Sequence, residues 1–430
     1  MAKVNNKNYI NVLDIGSSKI VCLVAEIDCL NNPKIIGVGH QVSRGIGVDG
    51  VISDIKALED AIVFAISAAE KSANLAIEEV YVNFSGNKLK SQFERIELDI
   101  SGSEVSDRDI KRINEIAFEN FADFSSEIIQ AVPVSYDIDG VTGISNPCYM
   151  CGHKLTANLN LVKIASSSLQ NLLNCLARCH LNIAGVIPSA YASALAVLSY
   201  EERQNGVTLM DIGAGNISLA IFSEGRLHYI VSFPFGGGLI TKDIQQIFSL
   251  SKSDAERVKA LYGGVFFESD KANDTIDLFD MINTEENTTG GYYIQKHKLC
   301  EIVHDRMKEI LTYIYQFLLH DKVASNAYSR ARGNIVLTGG GANLMGVAEL
   351  TKNIFNVRVK LAKPCKIENM PDEHKATHFA TIYGLINHAL SNQNHDNTEF
   401  KNFIQKSLFL HKIKDFSYYN RVADFLRKYF

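Results

Sequence analysis

The chain has 430 residues, of which 46% are hydrophobic and 21% charged, with a formal net charge of −5 at pH 7. That length exceeds what one compact core usually holds, so two or more domains are expected, and the acid excess argues against bulk nucleic-acid binding. No run of about eighteen or more apolar residues offers a bilayer-spanning helix. The opening MAKVNNKNYINVLDIG carries no apolar signal region before its first strand, so export is not expected.

The first apolar run, Ile10 to Asp14, ends in a polar turn, and a second run, Ile20 to Ile27, follows at once. This is the spelling of a β-hairpin. Ile35 to Val42 predicts a further strand, SRGIGVDG at 43–50 a loop, and Asp54 the cap of a helix reaching about Asn74. After the strand Val80 to Phe84 the pattern changes. Residues 84–163 mix alternating strands with one helix starting near Ser106, whose first turn holds Asp107 and Asp109, where acids suit the helix dipole. That stretch reads as an inserted small α+β unit. Gln170 to Leu181 and Ser189 to Tyr200 then read as helices.

Val207-Thr-Leu-Met-Asp211-Ile-Gly213-Ala-Gly215-Asn216, followed by the strand Ile217 to Phe222, repeats the spelling around Asp14. The copies lie about 200 residues apart, far beyond solenoid periods, so they mark a duplicated domain. A third cluster, Gly339-Gly340-Gly341, ends the apolar run from Ile335 and is expected to open a helix. The polar run from Ser269 to Gly291 reads as a mobile loop, and residues 391–415, opening with SNQNHDNTEFKN, as a flexible linker.

Glycine turns let backbone amides approach a phosphate closely and form an anion-binding nest. Gly16, Ser17, Ser18 and Lys19 would hold one end of a polyphosphate, and Gly213, Ala214, Gly215 and Asn216 the other. Asp14 and Asp211 would repel phosphate. They suit Mg²⁺ held through water, since that ion keeps several waters and takes few carboxylates. Gly339, Gly340 and Gly341 would close a third side. No GxxxxGK[ST] occurs, which excludes a P-loop. Gly45-Ile-Gly47-Val-Asp49-Gly50 spells GxGxxG, but Val51-Ile-Ser separates it from its helix, against a Rossmann reading.

The eight cysteines include Cys148-Tyr-Met-Cys151 and the pair Cys175 and Cys179, spacings that invite a zinc reading. Cys22, however, sits in a strand pattern, and Cys175 and Cys179 lie one turn apart on an apolar helix pattern. These read as small core residues in a reducing compartment, with no metal expected there.

In this order, two phosphate loops, a connecting helix and a GGG motif resemble the superfamily of actin, heat-shock chaperones and sugar kinases. The segments LDIGSSKIVCLVAE, IIGVGHQVSRGIGVDGVISDI, VPVSYDIDGVTGISNP, GVTLMDIGAGNISLAIF, FPFGGGLITKDI and LTGGGANLMGVAEL, spread over residues 10 to 390, resemble the FtsA family of bacterial cell-division proteins. The resemblance implies an α/β, actin-like duplicated ATPase fold that binds ATP with Mg in its central cleft. Its first large subdomain would comprise 1–83 and 164–206, and the insert 84–163 would contact neighbouring subunits and later division proteins. The second large subdomain would comprise 207–238 and 299–390, around a smaller one at 239–298 that contacts FtsZ in the family. The same resemblance places Gly237, with its neighbours Gly236 and Gly238, at the cleft wall, and Arg306 and Glu309 on the adenosine-side helix. Two departures stand out. Family members usually continue the second loop Gly-Gly-Gly-Thr with an acid two residues on, where this chain has Ala214, Asn216 and Ser218. Relatives often carry an acid near Ser189, and here it is missing. Water positioning is a main protein contribution to phosphoryl transfer, so ATP binding with weak or no hydrolysis is expected.

Residues 416–430 place Tyr418, Tyr419, Val422, Phe425, Leu426, Tyr429 and Phe430 on one helical arc of roughly 140°. Arg421, Arg427 and Lys428 lie on the other side. An aromatic face with a basic back, after a linker, predicts an amphipathic helix lying in an anionic membrane interface. Family members end in such a helix. The resemblance therefore implies a peripheral protein at the cytoplasmic face of the bacterial inner membrane, at the division site. It would polymerise with itself and tether FtsZ. A sugar-kinase-like phosphotransferase and a pilus or cell-shape relative remain as alternatives.

Overall fold

In the computed structural model, residues 8–86, 89–121, 125–266, 274–278, 293–331 and 333–392 are described. The hairpin expected at the start forms as β1 (Asn8–Ile15) and β2 (Lys19–Ile27), followed by β3 (Pro33–Val42), α1 (Ile55–Ala73) and β4 (Glu79–Phe84). Asp54 does cap α1, accepting from the Ala57 amide at 3.1 Å, and Asn74 ends it in the left-handed region. Side chains of β2 are buried almost without a break, as a strand covered on both faces requires.

The insert comprises β5 (Lys90–Asp99), α2 (Asp107–Phe121), β6 (Ser126–Ile138), β7 (Val141–Ile144) and β8 (Lys154–Ala165). It packs α2 on its own apolar cluster around Ile96, Ile113, Ile128, Leu155 and Leu159. α3 (Ser166–Arg178) and β9 (Asn182–Pro188) return the chain to the first half. The single helix predicted from Ser189 to Tyr200 is instead two, α4 (Ser189–Val197) and α5 (Tyr200–Asn205). Ser199 breaks it by forming a capping box with Glu202, which satisfies the first amides of a new helix.

The second half is β10 (Val207–Ile212), β11 (Ile217–Ser223), β12 (Arg226–Phe233), α6 (Gly237–Phe248), α7 (Lys252–Tyr262), β13 (Thr275–Asp277), β14 (Tyr293–Gln295), α8 (Lys296–His320), α9 (Lys322–Arg330), β15 (Asn334–Thr338), α10 (Val347–Phe355), β16 (Arg358–Leu361) and α11 (Ala380–Asn392). Within the run read as a mobile loop, Thr275–Asp277 is a strand paired with Tyr293–Gln295; residues 279–292 lie outside the described ones. The glycine cluster opens not an α-helix but a short 3-10 turn, Gly341–Asn343. α10 waits for Gly346, whose φ of +83° interrupts the helical path. The linker beyond Asn392 and the amphipathic helix at 416–430 lie outside the described residues.

Duplication is visible strand by strand. In the first sheet, ordered β3-β2-β1-β4-β9, β1 pairs antiparallel with β2 and parallel with β4. In the second, β12-β11-β10-β15-β16 repeats that order and those directions. The insert extends the second sheet through β5, which meets β12 at Val231↔Lys90. Because β1 runs parallel to β4 and β10 parallel to β15, their C-terminal ends bring Asp14, Asn83, Asp211 and Gly339 to one cleft.

Candidate functional site

Asp14 and Asp211 occupy equivalent places near the ends of β1 and β10, and each hairpin turns through the same closed loop. The Gly16 amide donates to the Lys19 carbonyl at 3.0 Å, and the Gly213 amide to the Asn216 carbonyl at 2.9 Å. A Cβ on Gly213 would stand 2.8 Å from that carbonyl, so the turn leaves no room for a side chain. The loops also press on each other: a Cβ on Gly215 would meet the Ser17 hydroxyl oxygen at 2.3 Å. Between them and the third glycine cluster lies a cavity of about 340 Å³, within the range of small-molecule sites. Asp14, Gly16, Ser17, Ser18, Lys19, Asp211, Gly213, Ala214, Gly215, Asn216, Gly237, Gly339, Gly340 and Gly341 all line it.

Its charges are held under strain. Burial raises the Asp14 carboxyl to about 7, against the pull of Lys19. Burial lowers the Lys19 amine to about 8, although Asp14 and Asp211 favour its charge. Asp211 is also raised by desolvation. Its Oδ2 accepts from the Ser193 hydroxyl at 2.6 Å and the Thr381 hydroxyl at 3.5 Å. Two desolvated carboxylates beside glycine amides suit a hydrated divalent cation between protein and phosphate. The Lys19 ammonium has no hydrogen-bond partner among the described residues, as suits a group waiting for an anion. The residues present thus fit a Mg²⁺–nucleotide: the carboxylates for the cation, the glycine loops and Lys19 for the phosphates.

The structure also gives several of the expected residues partners within the protein. Asn216 lines the cavity, yet its side chain turns to the first half. Its Nδ2 donates to the Asp49 carbonyl and the Ser232 hydroxyl, both at 3.5 Å, and its Oδ1 lies where a Cβ on Gly50 would be, 1.7 Å away. It acts as a strut between halves, which accounts for the Gly45–Gly50 loop having a role outside any Rossmann motif. Gly237 spends its amide on the Gly213 carbonyl at 2.9 Å, and Gly238 on Ala214 at 2.8 Å, so the start of α6 braces the second loop. Arg306 and Glu309 do not line the cavity. Arg306 forks onto the Asp243 carboxylate at 2.6 and 3.0 Å and reaches Glu309 at 2.6 Å, which ties α8 to α6. Glu256 and Lys259 on α7 line that side instead. Lys259 is buried and bonded to Glu256, Thr241 and the Gly237 carbonyl. The cysteine pairs are separated: Cys148 leans on Asp107 in the insert, while Cys175 on α3 and Cys179 just after it point at the Ile55 and Glu59 carbonyls of α1.

Asn83 was not singled out from sequence. One register step beyond Leu13↔Val82, it sits beside Asp14 as Thr338 sits beside Asp211. Its Oδ1 accepts from the Ile15 amide at 2.7 Å and its Nδ2 donates to the Ser189 hydroxyl at 3.0 Å. A lone amide in the apolar strand VYVNF was the available signal. Thr377 plays the matching part for the third loop, donating to the Gly339 carbonyl at 2.7 Å.

A family profile described as cell division protein FtsA matches residues 208–384, and one described as the SHS2 domain inserted in FTSA matches residues 86–163. The latter coincides with the expected insert to within two residues at its start. The cell division protein FtsA of Agrobacterium fabrum (strain C58) is 31% identical over 390 residues, covering 88% of this chain and 86% of that protein. FtsA of Escherichia coli (strain K12) is 26% identical over 433 residues, covering all of both. Among solved structures, the PilM-PilN type IV pilus biogenesis complex shares the fold at a TM-score of 0.61 and 16% identity, covering 89% of this chain and 98% of its own. MreB 5 of Spiroplasma citri, bound to AMPPNP, does so at 0.51 and 14%, covering 93% and 99%. The fold is therefore actin-like with an SHS2 insert, and identity extending through both halves decides among its branches: the chain belongs to the FtsA family of cell division proteins.

Proposed function

We propose that this protein binds ATP with Mg²⁺ in the cleft between its halves, assembles with itself on the cytoplasmic face of the bacterial inner membrane, and tethers FtsZ filaments there. The observation that carries the proposal is the paired loops: equivalent glycine turns, two desolvated carboxylates and a buried ammonium with no hydrogen-bond partner among the described residues meet in one cavity. Bound Mg²⁺ would neutralise phosphate charge; the chain's own part is to hold the ion's waters with Asp14 and Asp211 and the phosphates with the loops. Hydrolysis is proposed to be weak. The acid that relatives often carry near Ser189 is missing from this sequence, and Asn83 already engages the Ser189 hydroxyl. Glu256, the remaining carboxylate on the cavity wall, is bound to Lys259 and Thr241. The same fact disfavours a phosphotransferase, which needs a free base for its substrate hydroxyl.

Calorimetry with ATP, with and without Mg²⁺, is the direct test. Saturable, Mg²⁺-dependent binding is expected, and its absence would end the ATP reading. A single-turnover assay should release phosphate slowly; brisk Mg²⁺-dependent release would contradict weak hydrolysis.

A further inference from the structure

The Lys19 ammonium rests on an aromatic ring. Its Nζ lies 3.2 Å from the centroid of Phe379, which is itself buried. His374 stacks on Phe379 with centroids 4.0 Å apart and planes at 24°. An ammonium and an imidazole that close to one centroid cannot share a face, so the ring is held between them. His374 is fixed in turn by a 3.1 Å hydrogen bond between its Nδ1 and the buried Tyr383 hydroxyl. His378 packs at 4.5 Å and His40 meets the ring edge-on at 6.4 Å. Burial and the Lys19 charge lower His374 and His378 to about 4, so these imidazoles are neutral near pH 7 and do not repel the ammonium. The whole segment is tied to the third glycine loop by Thr377, whose hydroxyl and carbonyl both bond Gly339.

A lysine has four rotatable bonds, and fixing its ammonium costs side-chain entropy. A hydrogen-bonded anchor would consume donors that a phosphate needs. A ring face attracts the cation through its quadrupole without a hydrogen-bond acceptor and leaves N–H donors on its far side for a phosphate. We propose that Phe379, backed by His374, is a positioning residue that presents Lys19 to the phosphates of the bound nucleotide. This rests on the cleft being the nucleotide site, and it deepens that reading: the third loop and the first loop's lysine become one unit through residues 374–383.

The test is a series of wild-type, 4-fluoro, 3,5-difluoro and pentafluoro phenylalanine at 379 in the full-length protein, titrated with Mg²⁺–ATP. Fluorine drains the quadrupole with little change of shape, so each variant should stay folded. Affinity should fall stepwise, by about five- to thirtyfold across the series, the range for a desolvated cation–π contact. Phe379→Tyr should preserve most of the affinity, whereas Phe379→Leu should lose it. In a Lys19→Met background the fluorination trend should vanish, which a merely structural role for the ring would not produce. A flat series in a wild-type background that binds ATP overturns the inference alone, as does a trend that persists without Lys19. A wild-type protein that binds neither ATP nor inorganic triphosphate overturns the nucleotide reading and the inference with it.

Discussion

Asp14, Lys19 and Asp211 lie within electrostatic reach of one another, and burial works against the charge of each. Below about pH 7 the Asp14 carboxyl is protonated in the free protein, so Mg²⁺ must displace a proton and its affinity should fall about tenfold per pH unit. Above about pH 8 Lys19 loses its charge, and phosphate affinity should fall in turn. Mg²⁺–ATP affinity is therefore expected to peak between these values, which belong to the coupled set rather than to single residues. Calorimetry across pH checks this: Asp14→Asn should remove the acidic limb and Lys19→Met the alkaline one, and a flat wild-type profile would contradict the assignment. The turns that carry these residues were legible because Asp-Ile-Gly at the end of an apolar run is local chemistry. The further part of Asn216, its side chain set against Gly50, was not legible because the same local chemistry says nothing of Gly50, which meets it only after the halves fold together.

At the scale of elements, the geometry of Asp211 depends on two helices that come very close at small residues, Ala192 on α4 and Gly384 on α11. α4 supplies Ser193 and α11 supplies Thr381, and the hydroxyls of those two residues also meet each other at 3.0 Å. The helices approach so closely at Gly384 that a Cβ there would stand 1.7 Å from the Ala192 carbonyl. In a free helix Gly→Ala stabilises by about 1 kcal/mol. Here Gly384→Ala must push α11 off α4, and a net loss of about 1–3 kcal/mol is expected, the usual cost of overpacking. Because the shift also moves Ser193 and Thr381 from Asp211, Mg²⁺ affinity should fall together with the melting temperature. A variant that melts higher, or one that melts lower with unchanged Mg²⁺ binding, would refute this coupling. That SAYASALAV is helical was read from the sequence, though as part of a longer helix to Tyr200. That its partner lies nearly two hundred residues on was not, since small residues advertise close packing without naming the neighbour.

For the whole molecule, the two halves share strand order and direction while the insert carries its own core. None of the described helices is long and apolar enough to cross a bilayer. The proposed membrane contact rests on the sequence of residues 416–430, which lie outside the described residues and whose spacing would put basic and aromatic side chains on opposite sides of a helix. Deleting 416–430 should abolish co-sedimentation with anionic vesicles, and raising the salt should weaken the intact protein's binding as the Debye length shrinks. Unchanged co-sedimentation after the deletion would remove the anchor. On such vesicles the full-length protein should recruit FtsZ, and the truncated one should not; recruitment without residues 416–430 would separate tethering from this helix.

By itself the sequence determined the two hairpin loops, the duplication, the insert and the family, because each is written in turn chemistry and periodicity within a few neighbouring residues. Tertiary structure decided the partners. It set Asn83 against Ser189 and Asp14, turned Asn216 into a strut, bound Arg306 to Asp243 rather than to the cleft, and laid Phe379 beneath Lys19. These contacts join segments far apart in the chain. Their identity follows from how sheets and helices pack, which no local pattern specifies.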